Sequence, residues 1–174
     1  MKKLTFTLFL ALFAWVVQAQ DKKDQEIITD SEAAKADFLK DDPDMAKLFN
    51  ESYGYIILPN VGKGGLGVGA AAGNGVAYEN GEMIGFAKMT QLTIGLQAGG
   101  QAYSEVVFFE DAEALGRFKA NKVEMSAQVS AVAAASGASE DAKYVDGVSV
   151  FTRTKGGLMY EASVGGQQFK FKKL

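Results

Sequence analysis

A chain of 174 residues carries 18 Lys and Arg against 21 Asp and Glu, a formal net charge of −3, and has neither Cys nor His. That excludes disulfides, thiol nucleophiles, Ser-His triads and the commonest zinc ligands. It also argues against a nucleic-acid partner, which needs concentrated positive charge. A single domain of this length buries about 68–70% of its unfolded surface, enough core to stand without staples.

The chain opens with Lys2 and Lys3, an apolar run from Leu4 to Val17, and Gln18-Ala19. This is the pattern of an export signal over residues 1–19, cleaved after Ala19. The run is shorter than the roughly 20 apolar residues of a membrane-spanning helix. Its removal takes two Lys and no acid, so the remaining chain carries 16 − 21 = −5. The expected destination is the periplasm or the extracellular space, either free or peripheral on a membrane.

Residues 20–30 are expected as a polar tether, and residues 31–174 as one domain. Thr29-x-x-Glu32 predicts a capping box that opens a helix through Lys40, with Ala34 and Phe38 on its inner face. Asp42-Pro43 predicts a second helix to about Asn50 that buries Met45, Leu48 and Phe49. Asp41, Asp42 and Asp44 lack the EF-hand spacing, so they read as helix caps and no metal or cofactor is expected.

Tyr53 to Leu58 predicts a strand, ended by Pro59-Asn60. In the glycine-rich stretch 62–75, Leu66, Val68, Ala70 and Ala72 alternate with Gly65, Gly67, Gly69 and Ala71. A period of two means a strand with one nearly bare face, free to bend sharply. Four glycines in a helix would cost about 0.8–1 kcal/mol each, roughly 4 kcal/mol together. Gly62, Gly64 and Gly67 do spell G-x-G-x-x-G, but a dinucleotide fingerprint needs a following helix, and Lys63 lacks the Ser or Thr of a P-loop. No nucleotide is expected. Gly65, Gly69 and Gly73 also form a G-x-x-x-G series, as in packed membrane helices, but Lys63, Asn74 and Glu79 interrupt the segment, so the strand is the main reading and membrane insertion the minor alternative.

Val76 to Glu79 and Met83 to Met89 flank Asn80-Gly81, a strong hairpin signal. Leu92 to Ala98 and Tyr103 to Phe109 predict further strands, the latter covered on both faces because it scarcely alternates. Asp111 caps a short helix with Leu115 and Phe118 inward. Val123 to Ala131 alternates as a half-buried strand, and Ser136 to Ala142 reads as a loop. Val145 to Thr154, Leu158 to Val164 and Gln168 to Lys172 complete about nine strands, the last two joined at Gly165-Gly166. The expected fold class is α+β: a strongly curved or barrel-like antiparallel β-sheet with N-terminal helices and one short mid-chain helix.

Carboxylate pairs such as Glu79 with Glu82, or Glu110 with Asp111, fall at turns and caps, and Ser163 lacks the glycine of a nucleophile elbow. The chain is therefore not expected to be an enzyme; a carboxylate hydrolase would need a cleft with paired acids of raised pKa. Basic residues gather late, at Arg153, Lys155, Lys170, Lys172 and Lys173. In Phe169-Lys170-Phe171-Lys172 the lysines share one face, either guarding an edge strand or meeting phosphate headgroups. Four such residues at about 1 kcal/mol each give only about millimolar membrane binding.

Several segments together resemble the SYLF domain family, related to yeast actin-patch proteins. They are Tyr53-Gly-Tyr-Ile-Ile-Leu-Pro59, Lys63-Gly-Gly-Leu-Gly-Val-Gly69 with Gly73 and Gly75, Gly95 and Gly99, Phe151-Thr-Arg-Thr-Lys-Gly-Gly-Leu158, and Ser163-Val-Gly-Gly166. In order and spacing they run from about residue 32 to the end. The resemblance implies phospholipid binding, phosphoinositide binding in eukaryotic members, and no enzymatic role. In those members the N-terminal helical segment is basic, whereas here residues 20–51 hold Lys22, Lys23, Lys35, Lys40 and Lys47 against ten acids. Export removes actin from the expected partners. The expectation is a non-catalytic exported module that binds anionic phospholipid, or another anionic envelope component, through Lys63, Arg153, Lys155, Lys170 and Lys172. The alternative is a structural or protein-interaction domain of the envelope without a lipid ligand.

Overall fold

The computed structural model describes residues 2–122, 130–133, 138–140, 142–154, 162–163 and 166–174. Among these residues three helices, α1 (Lys2–Asp41), α2 (Met45–Glu51) and α3 (Ala112–Lys119), accompany six strands. These are β1 (Gly54–Glu79), β2 (Glu82–Phe109), β3 (Ser130–Ala133), β4 (Val148–Thr154), β5 (Ala162–Ser163) and β6 (Gln167–Lys173). The fold is α+β, with helices at the start and one in mid-chain, as the sequence predicts.

The centre is one long hairpin. Asn80 and Gly81 take φ of 50° and 83°, both left-handed, as a two-residue turn twisted to match its strands requires. From that turn β1 and β2 pair antiparallel from Glu79↔Glu82 out to Gly54↔Phe109. Six expected strands are thus parts of two. Pro59-Asn60 does not end β1, because a register shift between Leu58 and Val61 absorbs both residues and the Ser104 hydroxyl donates to the Pro59 carbonyl at 2.9 Å.

The ribbon curls until the far half of β1 lies against its near half. A Cβ added at Gly75 would stand 2.0 Å from the Ile57 carbonyl oxygen, and one at Gly73 would stand 2.9 Å from Val61. The Asn80 amide reaches back to the Tyr53 carbonyl at 3.0 Å. Between the two halves, residues 62–72 provide the bend, with a second register shift between Leu66 and Val68. The bare-faced strand expected there is present, and no helix follows Gly62, Gly64 and Gly67.

The curl has two faces and two cores. Ile56, Leu58, Val61, Ala77, Ala87, Met89, Val107, Phe109 and Phe169 fill the concave side, closed by Leu115 and Phe118 of α3. The alternate residues Tyr55, Ile57, Val106, Phe108 and Phe151 form the convex side of the near half and pack under Ala34, Phe38, Met45 and Phe49 of α1 and α2. Burial on both faces explains the weak alternation of Tyr103 to Phe109. Asp111 caps α3 by accepting from the Ala114 amide at 2.8 Å.

Two expectations need correction. Residues 20–30 are helical rather than a tether, and the Thr29-to-Glu32 pattern lies inside α1. The reason is the spacing of Ile27, Ser31, Ala34 and Phe38, a packed stripe at helical period that begins before Thr29. Barrel-like closure is also absent among the described residues: the order β1-β2-β4-β3-β5 has open ends, with β6 on β2. One edge of β2 is long enough for two partners, β4 along 103–109 and β6 along 85–91, so the sheet divides into two wings. One pair, β3 with β4, is parallel. Residues 123–129 of the strand expected at Val123 to Ala131, and most of Leu158 to Val164, lie outside the described residues.

The close approach at Gly75 makes a sharp expectation. Gly75→Ala must displace backbone and should cost on the order of 3 kcal/mol in urea unfolding. Gly62→Ala meets nothing within 4 Å and should stay within about 0.5 kcal/mol of wild type. Equal stability of the two variants would rule out the curled ribbon.

Candidate functional site

On the outer wing the convex face is not covered by α2. Alternation places Ala70, Ala72 and Asn74 of β1, Lys88, Thr90 and Leu92 of β2, and Gln168, Lys170 and Lys172 of β6 outward and exposed. Their inward neighbours Ala71, Ala87, Met89 and Phe169 are buried. The register aligns Asn74, Lys88 and Lys170 in one row across three strands. Like charges directly opposite in a sheet repel and destabilise the pair, so Lys88 facing Lys170 is an arrangement that folding alone disfavours.

The middle of α1, from Lys23 to Ile27, borders this row. Lys23, Asp24, Asn74, Lys88, Lys170 and Lys172 are among the residues lining a groove of about 290 Å³ there. Lys172 Nζ lies 3.7 Å from Asp24 Oδ2 and 5.7 Å from the centre of the Phe86 ring. Four ammonium groups and one carboxylate thus converge in a chain of net negative charge.

The five residues expected from sequence separate into groups. Lys170 and Lys172 lie in the groove. Lys63 is half-buried at the bend, opposite Gln101. Arg153, on β4, donates from Nε to Asp41 at 2.5 Å and from its terminal nitrogen to Asp37 at 3.0 Å, which ties α1 to the inner wing. Lys155 lies outside the described residues. Sequence reasoning missed Lys23 and Lys88. The alternation of Ala87, Lys88 and Met89 marks Lys88 as outward, but its partner across the strand follows only from the register.

Three of the acids have structural roles. Asp42 accepts from the Ser139 amide at 2.8 Å, and Glu79 pairs with Lys119 at 2.6 Å. Glu105 is wholly buried and accepts from Gln167 Nε2 at 2.9 Å, which links the inner wing to the start of β6. Its Oε1 and that of Gln167 have no hydrogen-bond partner among the described residues. Burial pushes the Glu105 carboxyl up to about 7 from 4.5, with the Gln167 hydrogen bond opposing. Burial, and then the Glu105 charge, raise the Tyr103 hydroxyl as well. A carboxyl with no exposed surface cannot meet a substrate, so Glu105 is no general acid. Among the described residues no group of three or more acids could hold a metal, and no helix is long and apolar enough to cross a membrane.

Residues 90–173 match the Ysc84 family model, described as "Las17-binding protein actin regulator". This is the SYLF family that the sequence resembles. The match takes in β2 from Thr90 onward, α3, and β3 to β6. The chain is also 28% identical over 145 residues to Beta cell expansion factor A of Aeromonas veronii, covering 82% of this chain and 55% of that protein. The chain therefore spans about half the length of that relative.

Glu105 sets a pH dependence. Between pH 4.5 and about 7 the folded protein keeps a proton that the unfolded chain releases. The stability present in acid is therefore lost as pH rises through about 7. Glu105→Gln should remove that fall, so that urea unfolding shows the variant up to about 3 kcal/mol more stable near pH 8 and indistinguishable near pH 4.5. A gain that persists undiminished in acid would show that the buried proton is not its cause.

Proposed function

We propose that this chain, whose residues 90–173 match the Ysc84 (SYLF) family model, is a non-catalytic exported module that docks on anionic phospholipid through the lysine groove. One observation carries the reading: Lys88 and Lys170 stand opposite each other on an exposed face, with Lys172 and Lys23 beside them. A phosphate between these groups removes their mutual repulsion and accepts their hydrogen bonds, so the cost to the empty fold becomes a gain when an anion is bound. The SYLF match supports lipid or protein interaction as the general role, and the buried or paired state of the carboxylates named above supports a module without catalysis.

The groove narrows the five candidate residues. Lys170 and Lys172 remain, Lys23 and Lys88 join them, and Arg153 is reassigned to holding α1 in place. The export expected from residues 1–19 would deliver this face to the outer side of the inner membrane or beyond. Headgroup phosphate is the chemistry recognised, and phosphoinositide is one carrier of it.

Flotation of the purified protein with vesicles tests this directly. Binding to phosphatidylglycerol-containing vesicles at low salt should exceed binding to phosphatidylcholine vesicles. Lys88→Gln with Lys170→Gln should weaken it about thirtyfold, at about 1 kcal/mol per lysine, while leaving stability unchanged or raised. Arg153→Gln should do the reverse, lowering stability by roughly 1 kcal/mol and leaving vesicle affinity intact. Equal, negligible binding to both vesicle types refutes the reading. In-cell crosslinking that captures one protein and no lipid would favour an envelope interaction domain instead.

A further inference from the structure

The lysines occupy only one end of the outer wing's convex face. Four residues along β2 from Lys88, on the same side, Leu92 is 76% exposed, while Met89 is fully buried and Ala87 is 2% exposed on the opposite side. The register sets Leu92 opposite Ala70, and Thr90 opposite Ala72 on one strand and Gln168 on the other. Ala70, Ala72 and Thr90 are exposed as well. At about 3.4 Å per residue, Leu92 lies roughly 14 Å from the row of Lys88 and Lys170. One surface therefore grades from four lysines to an uncharged end made of Ala70, Ala72, Thr90, Leu92 and Gln168, in which Leu92 is the one large apolar side chain.

We infer that Leu92, flanked by Ala70 and Ala72, is an insertion wedge that enters the acyl boundary of the same bilayer whose phosphates the lysines contact. This rests on the docking reading above. The lysine row on the same face commits the occupant to an anionic lipid surface, since charge complementarity and apolar contact are then met by one planar partner. Lysine side chains are long enough to reach phosphates while the strand beneath them tilts. Small residues beside Leu92 leave its side chain prominent. The lysines alone reach only about millimolar affinity. Burial of one leucine multiplies that by roughly ten to a hundred, and this part of the binding is insensitive to salt, unlike the lysine part.

The lack of cysteine permits a clean test, because a single introduced thiol carries the only label. Leu92→Cys and, as a control on α3, Ala112→Cys would each be labelled with an environment-sensitive nitrobenzoxadiazole dye, with folding checked by circular dichroism. On adding phosphatidylglycerol vesicles, the dye at residue 92 should shift to the blue and be quenched by lipids spin-labelled on the acyl chain. The dye at residue 112 should do neither. Unlabelled Leu92→Asp should bind about tenfold to a hundredfold more weakly, its residual binding fully reversed by salt.

Vesicle binding by wild type that Lys88→Gln with Lys170→Gln abolishes, together with a residue-92 dye that stays in water, overturns the wedge and leaves the docking reading standing. No vesicle binding by wild type overturns both. A blue shift at both positions also overturns the wedge, because it reports general unfolding on the membrane rather than insertion at one end.

Discussion

The fold depends on how closely two stretches of one strand can approach. Where Gly75 crosses Ile57, the backbone of β1 touches its own earlier course with no room for a methyl group. This contact allows the ribbon to curl tightly enough to enclose Met89, Phe109 and Phe169, and lets a helix of only eight residues close the open side with Leu115 and Phe118. The same curl turns the alternate residues Ala70, Ala72 and Asn74, Lys88, Thr90 and Leu92, and Gln168, Lys170 and Lys172 outward, beyond the reach of α2. The exposed face is therefore a by-product of the contact that makes the core.

Charge is used in two ways on this scaffold. Arg153 meets two carboxylates one helical turn apart, Asp37 and Asp41, and acts as a structural tie between β4 and α1. Lys88 and Lys170 instead face each other and gain nothing from the fold. A net charge of −3 obscures this division, since acids concentrated on α1 and at the turns offset lysines gathered on one wing. Local charge follows the arrangement of the fold, and on this wing it runs opposite to the total.

Much of the architecture was legible because it rests on local rules. Asn80-Gly81 demands a tight hairpin, Asp111 caps a helix, and glycine alternating with larger residues describes a strand that can bend. Residues that make α1 longer than expected carry no start signal of their own, and their helical state follows from packing at Ile27 and Ser31. Pro59-Asn60 looked like a terminator because a bulge that absorbs two residues cannot be distinguished from a loop without the partner strand. The candidate site was half visible. Lys170 and Lys172 stood out by alternation within seven residues, whereas Lys23 and Lys88 join them only through the curl and a pairing across some eighty positions. Arg153 beside Phe151 and Lys155 suggested a patch, but its acidic partners lie more than a hundred residues earlier.

The length of the hairpin also bears on how the chain finds this shape. Pairing starts three positions apart at Glu79 and Glu82 and ends 109 − 54 = 55 positions apart at Gly54 and Phe109. Each added rung encloses only two more residues, so the loop entropy rises in small increments as the ribbon zips outward from its turn. Contacts that are remote in sequence are reached by growth from a local nucleus, and the slow search that distant strand pairing usually imposes is left to the final fold-over and the docking of β4 and β6.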